Sequence, residues 1–396
     1  MTLTRAVAIL GGLVAAEVAF GCKRSGTSPS LPIMVTAISA GDFHTCGLSN
    51  TTAAYCWGLN TLGQLGDGSS TSSAAPVAVS GGLSLHVLTT GYGHSCGLTS
   101  AGAAYCWGNN DSGALGDGST TTSSIPVVVS GGLTFRALAT SPGFHSCGLT
   151  SPGAGYCWGS NRLGQLGDGS TTDRAIPAAV SGGLTFSALA RGRVHTCGLS
   201  SAGAAYCWGY NGSGQLGTGS TTGPELCGAY PCSSTPVAVA GGVSFRALAA
   251  GGDHTCGLTS SGAAYCWGNN NAGQLGDGSS TSSSAPGAVS GSLSFSALAI
   301  GELHTCGLTS AGTAYCWGSN RYGQLGDGTT TNGSTPIAVS GGFSFSALAA
   351  GWDHTCGLTS AGTAYCWGAN TYGQLGNGST TNSSIPVAVS WGLASR

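Results

Sequence analysis

The chain has 396 residues, including 72 Gly and 17 Cys, with only 11 basic and 13 acidic side chains and a net charge of −2. That balance excludes a nucleic-acid binder working through a basic face. Nine Trp, 12 Tyr and nine Phe exclude a disordered chain, and so many cysteines exclude the reducing cytosol as the site of folding.

At the N-terminus, Arg5 precedes an apolar run from Ala6 to Val14 that continues, broken by Glu17, to Phe20. The run is too short to span a bilayer and reads as a signal peptide over residues 1–21. It ends in Ala19-Phe20-Gly21-Cys22, which resembles a bacterial lipoprotein signal in which the cysteine carries the lipid. Residues 22–32 are then the lipidated Cys22 and a flexible tether. An ordinary secretory signal, with Cys22 as a spare thiol, remains the alternative.

From Ile33 the sequence repeats itself. His44, His94, His145, His195, His254, His304 and His354 recur at spacings of 50, 51, 50, 59, 50 and 50. An insertion between Thr222 and Pro236 accounts for the long interval, and Ser141-Pro142-Gly143-Phe144 for the single extra residue. Each unit predicts four short strands, shown in the last unit by Phe345-Ser-Ala-Leu-Ala, His354-Thr-Cys-Gly-Leu, Ala364-Tyr-Cys-Trp and Pro386-Val-Ala-Val. Thr-Ser-Ala-Gly joins strands two and three as a tight hairpin. The linker WGxNxxGQLGDGSTT is too polar and Gly-rich for helix. Seven sets of four antiparallel strands predict an all-β, seven-bladed propeller over residues 33–391, with residues 392–396 as a tail. A linear stack such as a β-helix would leave two sheet edges to cap. Neither the innermost strand nor the mode of closure is visible at this level.

Every unit holds two cysteines ten positions apart. The pairs are Cys46 with Cys56, Cys96 with Cys106, Cys147 with Cys157, Cys197 with Cys207, Cys256 with Cys266, Cys306 with Cys316, and Cys356 with Cys366. Pairing Thr359 with Thr363 sets Cys356 opposite Cys366, close enough for one disulfide per blade. Cys227 and Cys232 close a small loop in the insertion, and Cys22 is left over. Each hairpin disulfide is worth roughly 3 kcal/mol in the chain-entropy picture, although such terms do not add. Zinc is the rival use of His354, Cys356 and Cys366, but CxxC and HxxxH spacings are absent.

Features present in every unit read as scaffold. The seven histidines are expected to hydrogen-bond backbone near a strand start, since an enzyme uses one asymmetric constellation. Asp67, Asp117, Asp168, Asp277 and Asp327 are expected to cap turns rather than bind calcium, because Thr218 and Asn377 stand at the equivalent places. The glycine spacing follows no βαβ unit and no CxxCH is present, so no cofactor is expected.

The recurring pattern AGxxHTCGLTxxGxAYCWGxNxxGQLGDG resembles the repeat of the regulator-of-chromosome-condensation family of seven-bladed propellers, over nearly the whole chain after the leader. The resemblance implies a propeller whose surface loops carry functions that differ between members. A nucleotide-exchange role on chromatin is not implied for an exported chain without a basic arm. An exported bacterial branch, which includes a β-lactamase inhibitor protein, is the closer precedent. Trp352 in GWDHT resembles a motif in a plant ultraviolet receptor of this family, but Asp353 stands where that motif has arginine, so photoreception does not follow.

Function is sought where the repeats differ. The residues just before each histidine form a candidate binding rim of Phe43, Tyr92, Phe144, Arg193, Asp253, Glu302, Trp352 and Asp353. Leu62, Arg162, Leu163, Arg321, Tyr322 and Tyr372 form a second variable set, and the insertion Pro224–Ser233 adds Tyr230. The reading is a monomeric, non-catalytic protein-binding scaffold, exported as an outer-membrane or cell-surface lipoprotein or else secreted. Its partner is an extracellular or periplasmic protein, with no nucleic acid and no membrane contact beyond the lipid. A glycan-binding adhesin is the alternative. A hydrolase or lyase would have to draw on Asp253, Glu302 and Asp353.

Overall fold

Period-two strands joined by glycine-bearing turns pair with their sequence neighbours. The computed structural model describes residues 33–139 and 143–391, and the expected leader (1–21), the Cys22 anchor with its tether (22–32) and the tail (392–396) lie outside them. The described residues form seven antiparallel sheets, six of four strands and one of five. Each is built from one repeat in the order first, second, third, fourth. In the last blade the strands are Phe345–Ala350, His354–Thr359, Ala364–Gly368 and Ser383–Ala388. The fourth starts three residues before the expected Pro386, because Gly368 pairs with Ser383 across a bulge.

The first strand is innermost. Neighbouring first strands touch around the axis except between the third and fourth blades, where His145–Thr150 meets Ala188–Arg191, and Val35–Ala40 of the first blade reaches Phe345–Ala350 of the last. Small residues such as Ala40, Ala190, Ala299 and Ala349 let these strands converge on a channel of about 200 Å³. Every fourth strand carries a proline, from Pro76 to Pro386. Proline is tolerated there because that strand has an unpaired edge, and in the fourth blade Pro236 lies beyond Tyr230–Cys232, the stretch that a fifth strand pairs.

The disulfide expectation matches the register. Cys356 lies directly opposite Cys366 in the hairpin closed by Thr359 N–H to the Thr363 carbonyl. The same opposition sets Cys46 against Cys56, Cys96 against Cys106, Cys147 against Cys157, Cys197 against Cys207, Cys256 against Cys266 and Cys306 against Cys316. All seven pairs are bonded, with Cα–Cα distances of 4.0–4.1 Å. The bond from Cys227 to Cys232 closes the insertion, which adds Glu225–Cys227 as a fifth strand on the fourth blade.

The blades are joined by a repeated hydrogen-bonded staple. The Gln324 carbonyl in GQLGDG accepts Trp367 Nε1–H (2.9 Å) and the Thr355 hydroxyl (2.8 Å) from the next blade. The same pair of bonds recurs at each of the other six interfaces, with an alanine carbonyl, Ala114, in one of them. Each tryptophan in the staple is fully buried. Gly326 lies so close beneath Trp367 that a Cβ would sit 2.6 Å from Nε1, and its φ of +71° suits glycine alone. Asn320 arranges the linker, accepting from Leu325 N–H and donating to Asp327 and to the Thr329 and Thr331 carbonyls. Asp327 in turn accepts from Thr329 N–H, the turn-capping role expected of it.

The histidines are structural, but their partner differs from the expected backbone group. Each Nε2 meets a Ser or Thr hydroxyl of the following blade at 2.7–2.9 Å: His44 to Ser95, His94 to Ser146, His145 to Thr196, His195 to Thr255, His254 to Thr305, His304 to Thr355, and His354 back to Thr45. The hydroxyl already donates to the staple carbonyl, so it accepts from Nε2–H and fixes the neutral tautomer. The circle is complete.

Burial holds His44, His195, His254, His304 and His354 down to about 3, and lowers His94 and His145 as well. Their stabilising contribution is therefore full above the ordinary value near 6.5 and is lost as pH falls toward about 3. Each imidazole costs about 1.4 kcal/mol per pH unit across that window. We expect the urea midpoint to fall steeply between about pH 6.5 and 5, with several protons taken up on unfolding. A flat midpoint over that range would contradict the buried neutral ring.

Candidate functional site

The variable turns sit where the first strand hands over to the second, and in the third blade Gly143 and Phe144 are the described part of that turn. In the first blade Gly41 N–H bonds the His44 carbonyl at 2.8 Å, pinching Asp42-Phe43 into a tight tip beside the axis. The equivalent tips gather around one mouth of the channel. The candidate rim residues do share a face, but they divide into two arcs.

One arc is aromatic. Phe43 stacks on Trp352 with centroids 5.8 Å apart, and meets Tyr372 at 5.4 Å and Tyr92 at 6.3 Å. Tyr92 continues the cluster to Phe144 at 4.2 Å. Tyr372 comes from the second variable set and joins the first here. Phe144 and Tyr372 are 37% and 41% exposed, which is high for large apolar side chains on a rigid scaffold.

The other arc is charged. Arg193 pairs with Asp253 at 2.9 Å and with Glu302 at 3.3 Å. Gln215 Nε2–H reaches Asp253 at 3.3 Å, and Gln324 Nε2–H reaches Asp353 at 3.0 Å. Burial pushes Glu302 up to about 7, with Asp253 and Asp353 adding to the rise and Arg193 opposing it. Burial raises Asp353 to about 6 against the pull of Arg321. Burial works against the Arg193 charge, yet Asp253 and Glu302 keep it above its ordinary value. Asp253, Glu302 and Asp353 therefore come to one side, but two of them are already tied to a single arginine.

Beneath the arcs lie two buried charges. Arg191 ends its first strand where Ala40, Thr90, Ala250, Ile300 and Ala350 end theirs, and its Nη2 crosses to the Thr90 carbonyl at 3.2 Å, from the fourth blade to the second. Burial lowers it to about 10, with Asp42 opposing. Asp42 is 1% exposed, and burial together with Glu302 raises its carboxyl well above the usual range. Reading the sequence missed Arg191, although a lone arginine at the end of ALAR was its signal. The insertion lies toward the charged arc: Tyr230 packs edge-on against Tyr210 at 6.1 Å, and the Tyr210 hydroxyl feels Asp253 and Arg193. Among the described residues no three His, Cys, Asp or Glu side chains converge as metal ligands.

Comparison with known proteins places this arrangement. The model of the RCC1-like domain matches residues 139–395. Regulator of chromosome condensation (RCC1) repeat models match residues 35–64, 88–114 and 53–98. No curated protein sequence matches. Among solved structures, yeast RCC1 (Prp20), in a complex with Kap60, is 21% identical with a TM-score of 0.75, covering 96% of this chain and 92% of that one. Human WBSCR16 is 22% identical with a TM-score of 0.75, covering 85% and 94%. The CRINKLY WD40 ectodomain of the Arabidopsis thaliana receptor kinase ACR4 is 22% identical with a TM-score of 0.54, covering 91% and 100%. At these identities the likeness is one of fold.

The raised Glu302 carboxyl sets a pH signature opposite in sign to that of the histidines. Above about 7 the folded protein carries a disfavoured charge that the unfolded chain carries freely, and the penalty fades as pH falls toward the ordinary value near 4.5. We expect Glu302→Gln to raise the thermal midpoint at pH 8, by the equivalent of about 1–3 kcal/mol, and to match the parent near pH 4.5. A loss of stability at pH 8 would mean that the Arg193 pair outweighs the burial.

Proposed function

The chain belongs to the RCC1-like family of seven-bladed propellers, and on that premise we propose that it is an exported, non-catalytic scaffold that holds a protein partner on its histidine-side face. The observation that carries this reading is the contiguous cluster Trp352, Phe43, Tyr92, Phe144 and Tyr372 beside the Arg193 network. Rigid aromatics next to a charged patch are the composition of interface hot spots, where a few side chains supply most of the affinity. The tips are set by strands stapled on both sides, so little ordering cost is left to pay on binding. Protein binding by the yeast relative, found in complex with Kap60, supports the same use of the fold.

The bonded cysteine pairs point to an oxidising environment outside the cytoplasm. No helix among the described residues is long and apolar enough to cross a membrane. Attachment through a lipid on Cys22 is part of the proposal and rests on the sequence around that residue. The non-catalytic reading is favoured because two of the three candidate carboxylates, Asp253 and Glu302, are engaged by Arg193.

The test is capture of extracellular or periplasmic proteins on immobilised protein, comparing the parent, a double variant (Phe43→Ala with Trp352→Ala) and Ile125→Ser on the outer edge. A partner should bind the parent and Ile125→Ser alike and lose more than about tenfold in affinity for the double variant. Equal binding to all three would remove the aromatic arc from the interface.

A further inference from the structure

One blade breaks the staple's pattern, and the break opens a cavity. Six repeats read GQLG, and the second reads GALG, with Ala114 in place of glutamine. In the six, the glutamine Oε1 accepts a backbone N–H two residues earlier at 2.9–3.0 Å, from Leu62, Leu163, Ser213, Ala272, Tyr322 and Tyr372. Where Nε2 bonds a neighbour, it reaches toward the next blade or its own linker, as Gln324 does to Asp353 and Ser319. Alanine fills none of this space, and the Ser112 amide loses the acceptor that glutamine supplies elsewhere. The cleft between the second and third blades becomes a pocket of about 270 Å³ with Ala114 in its wall.

The lining has two chemistries. Tyr92 and Phe144, 4.2 Å apart at centroids, form an apolar wall. Asn109, Asp111, Ser112, Ser160 and Arg162 supply donors and acceptors around the rest. Asn109 Nδ2–H donates to Asp111 at 2.9 Å, and Asp111 and Arg162 stand exposed at the mouth, so this side of the pocket is hydrated and offers charged, directional partners rather than an apolar surface. A simple cation would meet Arg162, and a simple anion would meet Asp111. A neutral ring with one C–H face and a rim of hydroxyls suits every wall: the face lies on an aromatic ring, and neighbouring hydroxyls donate to Asp111 and accept from Arg162. The pocket is at the small end for ligand sites and takes one ring rather than a chain.

We propose that the cleft at Ala114 is a binding site for a single neutral pyranose unit of a glycan. The proposal does not rest on the protein-binding reading, although the pocket shares Tyr92 and Phe144 with the aromatic arc. The critical variant is Ala114→Gln, which restores the residue of the other six blades and therefore keeps the fold while plugging the pocket. Saturation-transfer NMR with methyl glucoside, methyl galactoside and N-acetylglucosamine should detect binding of at least one sugar to the parent. Ala114→Gln should weaken it by more than about tenfold, with the thermal midpoint unchanged or raised. Phe144→Val, the residue of the following blade, should weaken it as well.

Absence of binding by all three sugars overturns the proposal, as does unchanged binding in Ala114→Gln. Stronger saturation of phenylalaninamide than of any sugar, lost in Ala114→Gln, also overturns it and assigns the pocket to a partner's side chain. Sugar binding that survives the paired Phe43→Ala and Trp352→Ala changes while protein capture fails separates this site from the protein interface.

Discussion

A single backbone carbonyl per blade, with two donors aimed at it from the neighbour, is what the molecule is organised around. A carbonyl oxygen has two lone pairs, and Gln324 spends both on the next blade, one on Trp367 and one on Thr355. The bond to threonine leaves its hydroxyl able only to accept from histidine, so Nε2 carries a proton, and burial keeps the ring neutral. The bond to tryptophan holds the indole flat over Gly326, which is why no side chain is tolerated there. The last blade treats the first as it treats any neighbour, with Trp57 and Thr45 on the Gln374 carbonyl. Closure thus needs no exchanged strand, and each sheet comes from one repeat.

Much of this was legible. With Thr359 paired to Thr363 the ten-residue spacing sets Cys356 opposite Cys366, as found, and the seven copies gave the number of blades. The outermost strand was also written in the sequence, since Pro386 can sit only at an edge, although that inference was not drawn. The strand's start was not legible, because Ser383 pairs across a bulge that alternation does not reveal. The histidine partner was hidden for a different reason: it belongs to the next repeat, 51 residues away in the case of His304 and Thr355. Periodicity reports environments that are equivalent. It does not report which copy supplies the partner.

The candidate site shows the complementary limit. Variation among the copies pointed to the turns before the histidines, and the described residues of those turns share a face. Their division into an aromatic arc and an ion-paired arc depends on side chains meeting across blades, as Phe43 does with Trp352 from opposite ends of the chain. Arg191 and Ala114 passed unnoticed because each is an unremarkable residue by itself. Both become informative only against the other copies: uncharged residues where Arg191 stands, and glutamine where Ala114 opens the cleft. In a molecule this symmetric, specific recognition has to come from such departures, since seven equal faces would present seven equal sites.

The closed, stapled ring is tested most directly by removing one hydroxyl at the seam and one far from it. Thr45→Val and Thr305→Val delete the same two hydrogen bonds, the first between the last and first blades and the second between interior neighbours. The account predicts equal losses in unfolding free energy, about 1–3 kcal/mol each, measured by urea denaturation. A silent Thr45→Val beside a costly Thr305→Val would mean that the ring is open where its ends meet.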